Sequence, residues 1–229
     1  MSPKQYVIVV AVVFCALLFS GCQRASVATV GQNPRAAADI RKAELQRELD
    51  KKWESPNTHF ELGQLYHAGG DWPKAEWHYN IALGFDPAMR DAQAAIVKVQ
   101  MDKGDKSRAE WAANTYMTQA ASSPEQLLSL GMAFEKQGLD SYVDKCYQEA
   151  LKIAPNSPTV NRQLGYYYLA KDKKDIAKEY FVRSFQLNPD QPDVAGELGR
   201  LGVAVKIPET SAVSPENLRQ PVKPASGPK

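Results

Sequence analysis

The chain has 229 residues, and its 28 lysines and arginines against 26 aspartates and glutamates leave a net charge of +2. That balance gives no basic footprint for nucleic acid and no strong steering field, and the length suits one or two domains. Of the three cysteines, Cys15 and Cys22 lie near the start, so Cys146 alone serves the body, no internal disulfide can staple it, and the fold must rest on packing.

Residues 6–19 (YVIVVAVVFCALLF) are apolar without interruption, with Lys4 before them and Ser20, Gly21 and Cys22 after. A basic start, an apolar core of about 7–15 residues and small residues before a cut define a secretory signal, and the run is short for a spanning helix. Leu18 to Cys22 resembles a bacterial lipobox, with Phe19 where an aliphatic residue is common. The resemblance implies a signal peptide over 1–21 and acylation of Cys22, with several acyl chains giving firm anchoring where one would be marginal. Gln23 after the cysteine implies, by analogy with enteric bacteria, the outer membrane. An uncleaved signal anchor is the alternative, and both readings put the body outside the cytoplasm. Residues 22–33 then form the lipidated N-terminus and linker. Asn33-Pro34 opens a predicted helix over 34–54 with a thin stripe of Ala38, Leu45, Leu49 and Trp53. It is read as laid against the start of the body, or as a solvated spacer.

From 56 onward a block of 34 residues recurs four times: 56–89, 90–123, 124–157 and 158–191. Leu62-Gly63, Ile96-Val97, Leu130-Gly131 and Leu164-Gly165 keep one register, as do Ala75, Ala109, Val143 and Ala177. Pro87, Ala121, Pro155 and Pro189 close the blocks. A strict period of this size marks stacked helix pairs, each needing its neighbours to bury an apolar face. Positions 4, 7, 8 and 11 of a block form one helical stripe, and positions 20, 24 and 27 another. Small residues at 8 and 20 let the backbones approach, and proline at 32 ends the second helix. Ser55-Pro56, Ser123-Pro124 and Ser157-Pro158 place a capping hydroxyl before a proline at the first helical position. Gly70, Gly104 and Gly138 fall between the helices, where positive φ is useful; Asp172 stands there in the last block, which predicts a different turn. In the second block Val97 replaces the small residue at 8 and Ala113 the aromatic at 24, an exchange that compensates in volume.

The pattern resembles the tetratricopeptide repeat (TPR) family, strongly in blocks one, three and four and least in block two, where Gln100 takes the place of the aromatic at 11. The resemblance implies an all-α, right-handed solenoid of four stacked hairpins. Residues 192–202 read as a capping helix, and 203–229, with five prolines and few large apolar groups, as a disordered tail.

Chemistry is sparse. No phosphate-cradling glycine motif and no cysteine pair with metal spacing occurs. His59 sits at packing position 4, His67 at 12 toward the groove and His78 at 23 facing outward, so a joint zinc site is not expected. Cys146, also at 23, reads as an outer-side surface or groove thiol, with an intermolecular disulfide as the sharper alternative. No metal, cofactor, small-molecule substrate or catalytic set is expected. In the TPR family the concave face is lined by positions 2, 5, 9 and 12. Carried across, this implies a peptide groove of Phe60, Gln64 and His67, Lys98 and Met101, Leu128, Met132 and Glu135, and Arg162, Tyr166 and Leu169. Some of these could instead pack between repeats. Trp77 and Trp111, both at position 22, form a possible patch on the outer face.

The function expected is a non-catalytic, membrane-anchored, periplasm-facing scaffold that binds a peptide segment of another envelope protein during assembly of a complex such as a pilus or secretion machine. The alternatives are a spacer between membrane and wall, or an accessory, substrate-binding part of a cell-wall enzyme.

Overall fold

The computed structural model describes residues 34–206. The signal peptide, Cys22, the linker and residues 207–229 lie outside the described residues. Ten helices succeed one another, with no strand among the described residues: α1 (Pro34–Lys51), α2 (Pro56–Ala68), α3 (Trp72–Phe85), α4 (Arg90–Asp102), α5 (Lys106–Ala120), α6 (Pro124–Lys136), α7 (Asp140–Ile153), α8 (Pro158–Ala170), α9 (Lys174–Leu187) and α10 (Pro192–Arg200). None is long and apolar enough to cross a membrane. Helices α2 to α9 pair as four hairpins. Each first helix packs on its own second helix and on the first helix of the next repeat, and each second helix also touches the next first helix. The result is an α-solenoid, as the period requires.

Close approach within a hairpin is set by glycine against an aromatic ring. A Cβ at Gly63 would lie 2.5 Å from Tyr79, and one at Gly165 would lie 2.5 Å from Phe181; at Gly131 the approach to Tyr147 is closer still. All three rings are buried. In repeat 2 the volumes are exchanged: Val97 and Ala113 are both fully buried in the same core. Gln100 there hydrogen-bonds through Nε2 to Glu76 at 2.7 Å, so a polar side chain fills an aromatic position by pairing with its neighbour.

Helix starts are marked as expected in two places of three. The Ser123 hydroxyl accepts from the Glu125 and Gln126 amides, and Ser157 from Val160. Ser55 makes no such cap; its hydroxyl pairs with that of Thr58 at 2.8 Å. Asp71 and Asp105 cap the second helices of repeats 1 and 2. The turn of repeat 4 does not differ from the others. Asp172 takes φ 56, beside 78, 80 and 67 at Gly70, Gly104 and Gly138, because an aspartate tolerates the left-handed region better than most side chains.

The N-terminal helix lies against repeat 1, not in solvent. Leu45 and Leu49 are buried with Leu62, and Arg41 holds Glu61 through two nitrogens at 2.7 and 2.9 Å. It ends at Lys51, and Trp53, read as part of its stripe, lies beyond it and half exposed. At the other end Gly202 turns the chain (φ 77), and Val203 and Val205 pack on the cluster of Phe181, Val194 and Leu198. Two of the first four residues assigned to the disordered tail, Val203 and Val205, are therefore partly buried against the cap, while Ala204 and Lys206 are exposed.

Candidate functional site

First helices supply the candidate groove, because their consecutive stacking turns one face of each toward the same side. Between repeats 1 and 3 this face holds an open cleft of about 380 Å³ lined by Gln64, His67, Ala68, Tyr79, Lys98, Asp102 and Gln137. Three of the expected groove residues, Gln64, His67 and Lys98, thus come together. Asp102, absent from the expected set, organises them. One of its oxygens meets His67 Nε2 at 2.8 Å and the other receives the Lys98 ammonium. Burial would raise the Asp102 carboxyl, but the hydrogen bonds from Lys98 and His67 outweigh it and hold the group below its ordinary value. The signal in the sequence was the i,i+4 spacing of Lys98 and Asp102. Tyr79, beneath the cleft, is pushed upward by burial and stays a neutral phenol.

Of the other expected groove residues, Met132 is 43% exposed, while Phe60 and Met101 are half-buried against the core, Phe60 packing on Tyr79. Leu128, expected in the groove, is buried and belongs to the main core cluster. Glu135 accepts from the Tyr147 hydroxyl at 3.3 Å. At the C-terminal end the cap takes up the face. Tyr166 donates to Asp193 at 3.0 Å, Arg162 lies 3.6 Å from the same carboxylate, and Leu169 packs on the cap cluster. The accessible groove therefore belongs mainly to repeats 1 to 3.

Position 23 turns away from solvent at Cys146 and His78. Cys146 is fully buried, which pushes its thiol up to about 12 and rules out the intermolecular disulfide. His78 is buried too, with its Nδ1 3.1 Å from Nδ1 of His59, so these two histidines face each other. His59 Nε2 meets the Trp53 carbonyl at 3.1 Å. A carbonyl only accepts, so His59 carries its hydrogen on Nε2, its Nδ1 accepts, and His78 donates from Nδ1. Burial lowers His59 against the raising effect of that carbonyl, and burial with the neighbouring His59 lowers His78 to about 4. The pair is neutral and structural. The contact to the carbonyl six residues back recurs at position 4: Gln93 donates to Pro87 at 2.8 Å and Asn161 to Pro155 at 3.1 Å. Polar residues at that position staple each repeat to the chain entering it. Among the described residues no group of three or more His, Cys, Asp or Glu side chains is placed to hold a metal.

The 34-residue register and the stacked hairpins are an α-solenoid of the tetratricopeptide-repeat kind, and the chain is similar in sequence to a pilus-assembly protein. No family model matches the chain. The type IV pilus assembly protein PilF of Pseudomonas aeruginosa is 29% identical over 157 residues, covering 65% of this chain and 60% of its own length. The chain thus spans about 60% of the length of the curated relative it matches. A solved structure of Pseudomonas aeruginosa PilF is similar at 24% identity with a TM-score of 0.36, over 72% of this chain and 69% of that one. A crystal structure of MamA is similar at 19% identity with a TM-score of 0.37, over 64% of this chain and 80% of that one.

Proposed function

We propose that the protein is a non-catalytic scaffold, anchored at the membrane through an acylated Cys22, that holds a peptide segment of another envelope protein while a larger complex is assembled, as in pilus biogenesis. The observation that carries this reading is the convergence of first-helix side chains from successive repeats on one open face, with apolar and hydrogen-bonding groups interleaved. Exposed Met132 and half-buried Phe60 and Met101 offer adaptable apolar seats. Gln64, Lys98, His67 and Glu135 offer polar contacts along the same row. Such a surface suits an extended or helical segment with a few apolar anchors, and a preordered groove keeps the ordering cost on the peptide side. The likeness to PilF, a type IV pilus assembly protein, supports assembly as the context.

A photo-crosslinking amino acid placed at Gln64 in the full chain tests the groove in cells. One partner should be trapped there, and Met132→Asp should abolish the adduct. The same probe at Glu179, on the outer side of repeat 4, should trap nothing. Equal trapping at both positions, or insensitivity to Met132→Asp, would remove the groove. Growth with labelled palmitate tests the anchor: the label should enter the native chain and not Cys22→Ala.

A further inference from the structure

The largest exposed aromatic surface lies away from the groove. Trp53, Trp77 and Trp111 are 49%, 48% and 71% exposed. The rings of Trp53 and Trp77 are 6.1 Å apart, and Trp111 occupies the same repeat position as Trp77 one hairpin further on. A cation accompanies each ring. Lys52 directly precedes Trp53, Lys74 lies one turn before Trp77, and Arg108 one turn before Trp111. The Lys74 and Arg108 side chains are 61% and 68% exposed; each contacts the capping Asp71 or Asp105, and the Lys74 ammonium also lies over the Tyr66 ring at 5.2 Å. Repeats 3 and 4 carry Lys145 and Glu179 at the tryptophan position, so the pattern stops halfway along the solenoid.

We infer that the outer face of repeats 1 and 2 lies on a bilayer surface bearing anionic headgroups. This rests on the anchoring proposed at Cys22. Tryptophan, with an apolar body and one N–H, suits the boundary between headgroups and acyl chains, and flanking cations match a negative leaflet. The polarity of the patch agrees with the direction of the anchor, since repeats 1 and 2 are the half from which the chain runs back through α1 toward Cys22. Reach agrees as well. Residues 22–33 can extend to about 40 Å. Helix α1, with 18 residues, is about 27 Å long. The tether is long enough for the patch, which begins just past the far end of α1, to settle on the surface that holds the anchor. Docked so, the solenoid would lie with its outer side on the membrane and its groove turned away, open to a partner.

The test uses the lipidated full chain in vesicles of phosphatidylglycerol and phosphatidylethanolamine with brominated acyl chains. Tryptophan emission should shift to the blue and be quenched at least twofold relative to unbrominated vesicles. Trp111→Ala combined with Trp77→Phe should remove most of that quenching, and phosphatidylcholine vesicles or high salt should weaken it. Trp111→Ala alone, at a side chain that packs on little, should remove part of it without touching the fold. Chain that floats with the vesicles but shows no quenching would overturn the docking and leave the anchor standing. Quenching in a chain that takes up no palmitate would keep the docking and remove the anchor. Tryptophan shielding produced by an envelope protein without lipid would assign the face to that protein and overturn the inference.

Discussion

Repeats 2 and 3 fill the same gap with opposite partners. In repeat 3 the first helix gives up its side chain and the second supplies a tyrosine, whose ring sits where any Cβ on Gly131 would be. In repeat 2 the first helix supplies Val97 and the second retreats to Ala113, both fully buried. What is specified is thus the summed volume between two backbones, not the residue at either position. A glycine at position 8 is a requirement only when an aromatic faces it. Cores accept such exchanges when volume is kept and lose stability when it is not.

Breaking repeat 3 should give the largest effect. Gly131→Ala puts a methyl against the buried Tyr147 ring, well inside van der Waals contact. We expect a loss toward the upper end of the usual overpacking cost of about 1–3 kcal/mol, even though alanine favours a helix. Urea unfolding would measure it; an unchanged midpoint would show that the Tyr147 ring can move aside. The reciprocal experiment converts repeat 2. Val97→Gly alone should open a void, and Ala113→Tyr alone should overpack. Together they rebuild the arrangement of repeat 3, so their combined cost should fall below the sum by about 0.5–3 kcal/mol, the range found for touching residues. Additive losses would mean that the two side chains do not share one space.

The period, the hairpin count and the glycine–aromatic pairs were legible because each rests on spacing repeated in one chain. Position 23 was misjudged because it was taken as an outer side, whereas His78 and Tyr180 turn onto the first helix of their own hairpin, against Tyr66 and Tyr168. Cys146 and His78 are both buried. Leu128 was assigned to the groove by position alone, and position does not show that the side chain is buried. Asp102 was missed because its role lies in joining residues of two repeats, His67 of the first and Lys98 of the second. Local pattern shows a helix face, and inter-repeat geometry decides what that face touches.

Repeats 1 and 3 also differ in how they titrate. Positions 4 and 23 are Leu127 and Cys146 in repeat 3 but His59 and His78 in repeat 1, with Trp53, Tyr66 and Trp77 around the histidines. Both imidazoles are held below their ordinary value, His78 at about 4. The folded state therefore binds fewer protons than the unfolded chain. Its contribution is complete above the unfolded value near 6.5 and declines as pH falls through the interval down to about 4. A tenfold loss of proton affinity on folding corresponds to about 1.4 kcal/mol, so the decline should reach on the order of 3 kcal/mol by pH 4. Melting followed between pH 7 and 4 should show it, and His59→Leu with His78→Leu should flatten it. A slope that persists in the double variant would place the titration elsewhere.

The smallest effect is expected at the turns. Repeats 3 and 4 reach the same left-handed conformation with Gly138 at φ 67 and Asp172 at φ 56. Glycine adopts it without a steric cost but loses more backbone freedom on folding; aspartate carries the steric cost and loses less. The exposed contact from Lys174 to Asp172, at 3.3 Å, adds little. Asp172→Gly should therefore change stability by no more than about 0.5 kcal/mol, as a gain. Gly138→Asp should cost about 0.5–1 kcal/mol, because repeat 3 would then bear the strain that repeat 4 already bears. Equilibrium unfolding of the two single variants and the swapped pair separates these contributions. If Asp172→Gly proved strongly destabilising, the aspartate would be holding the turn through its side chain, and the two turns would be alike in shape but not in cause.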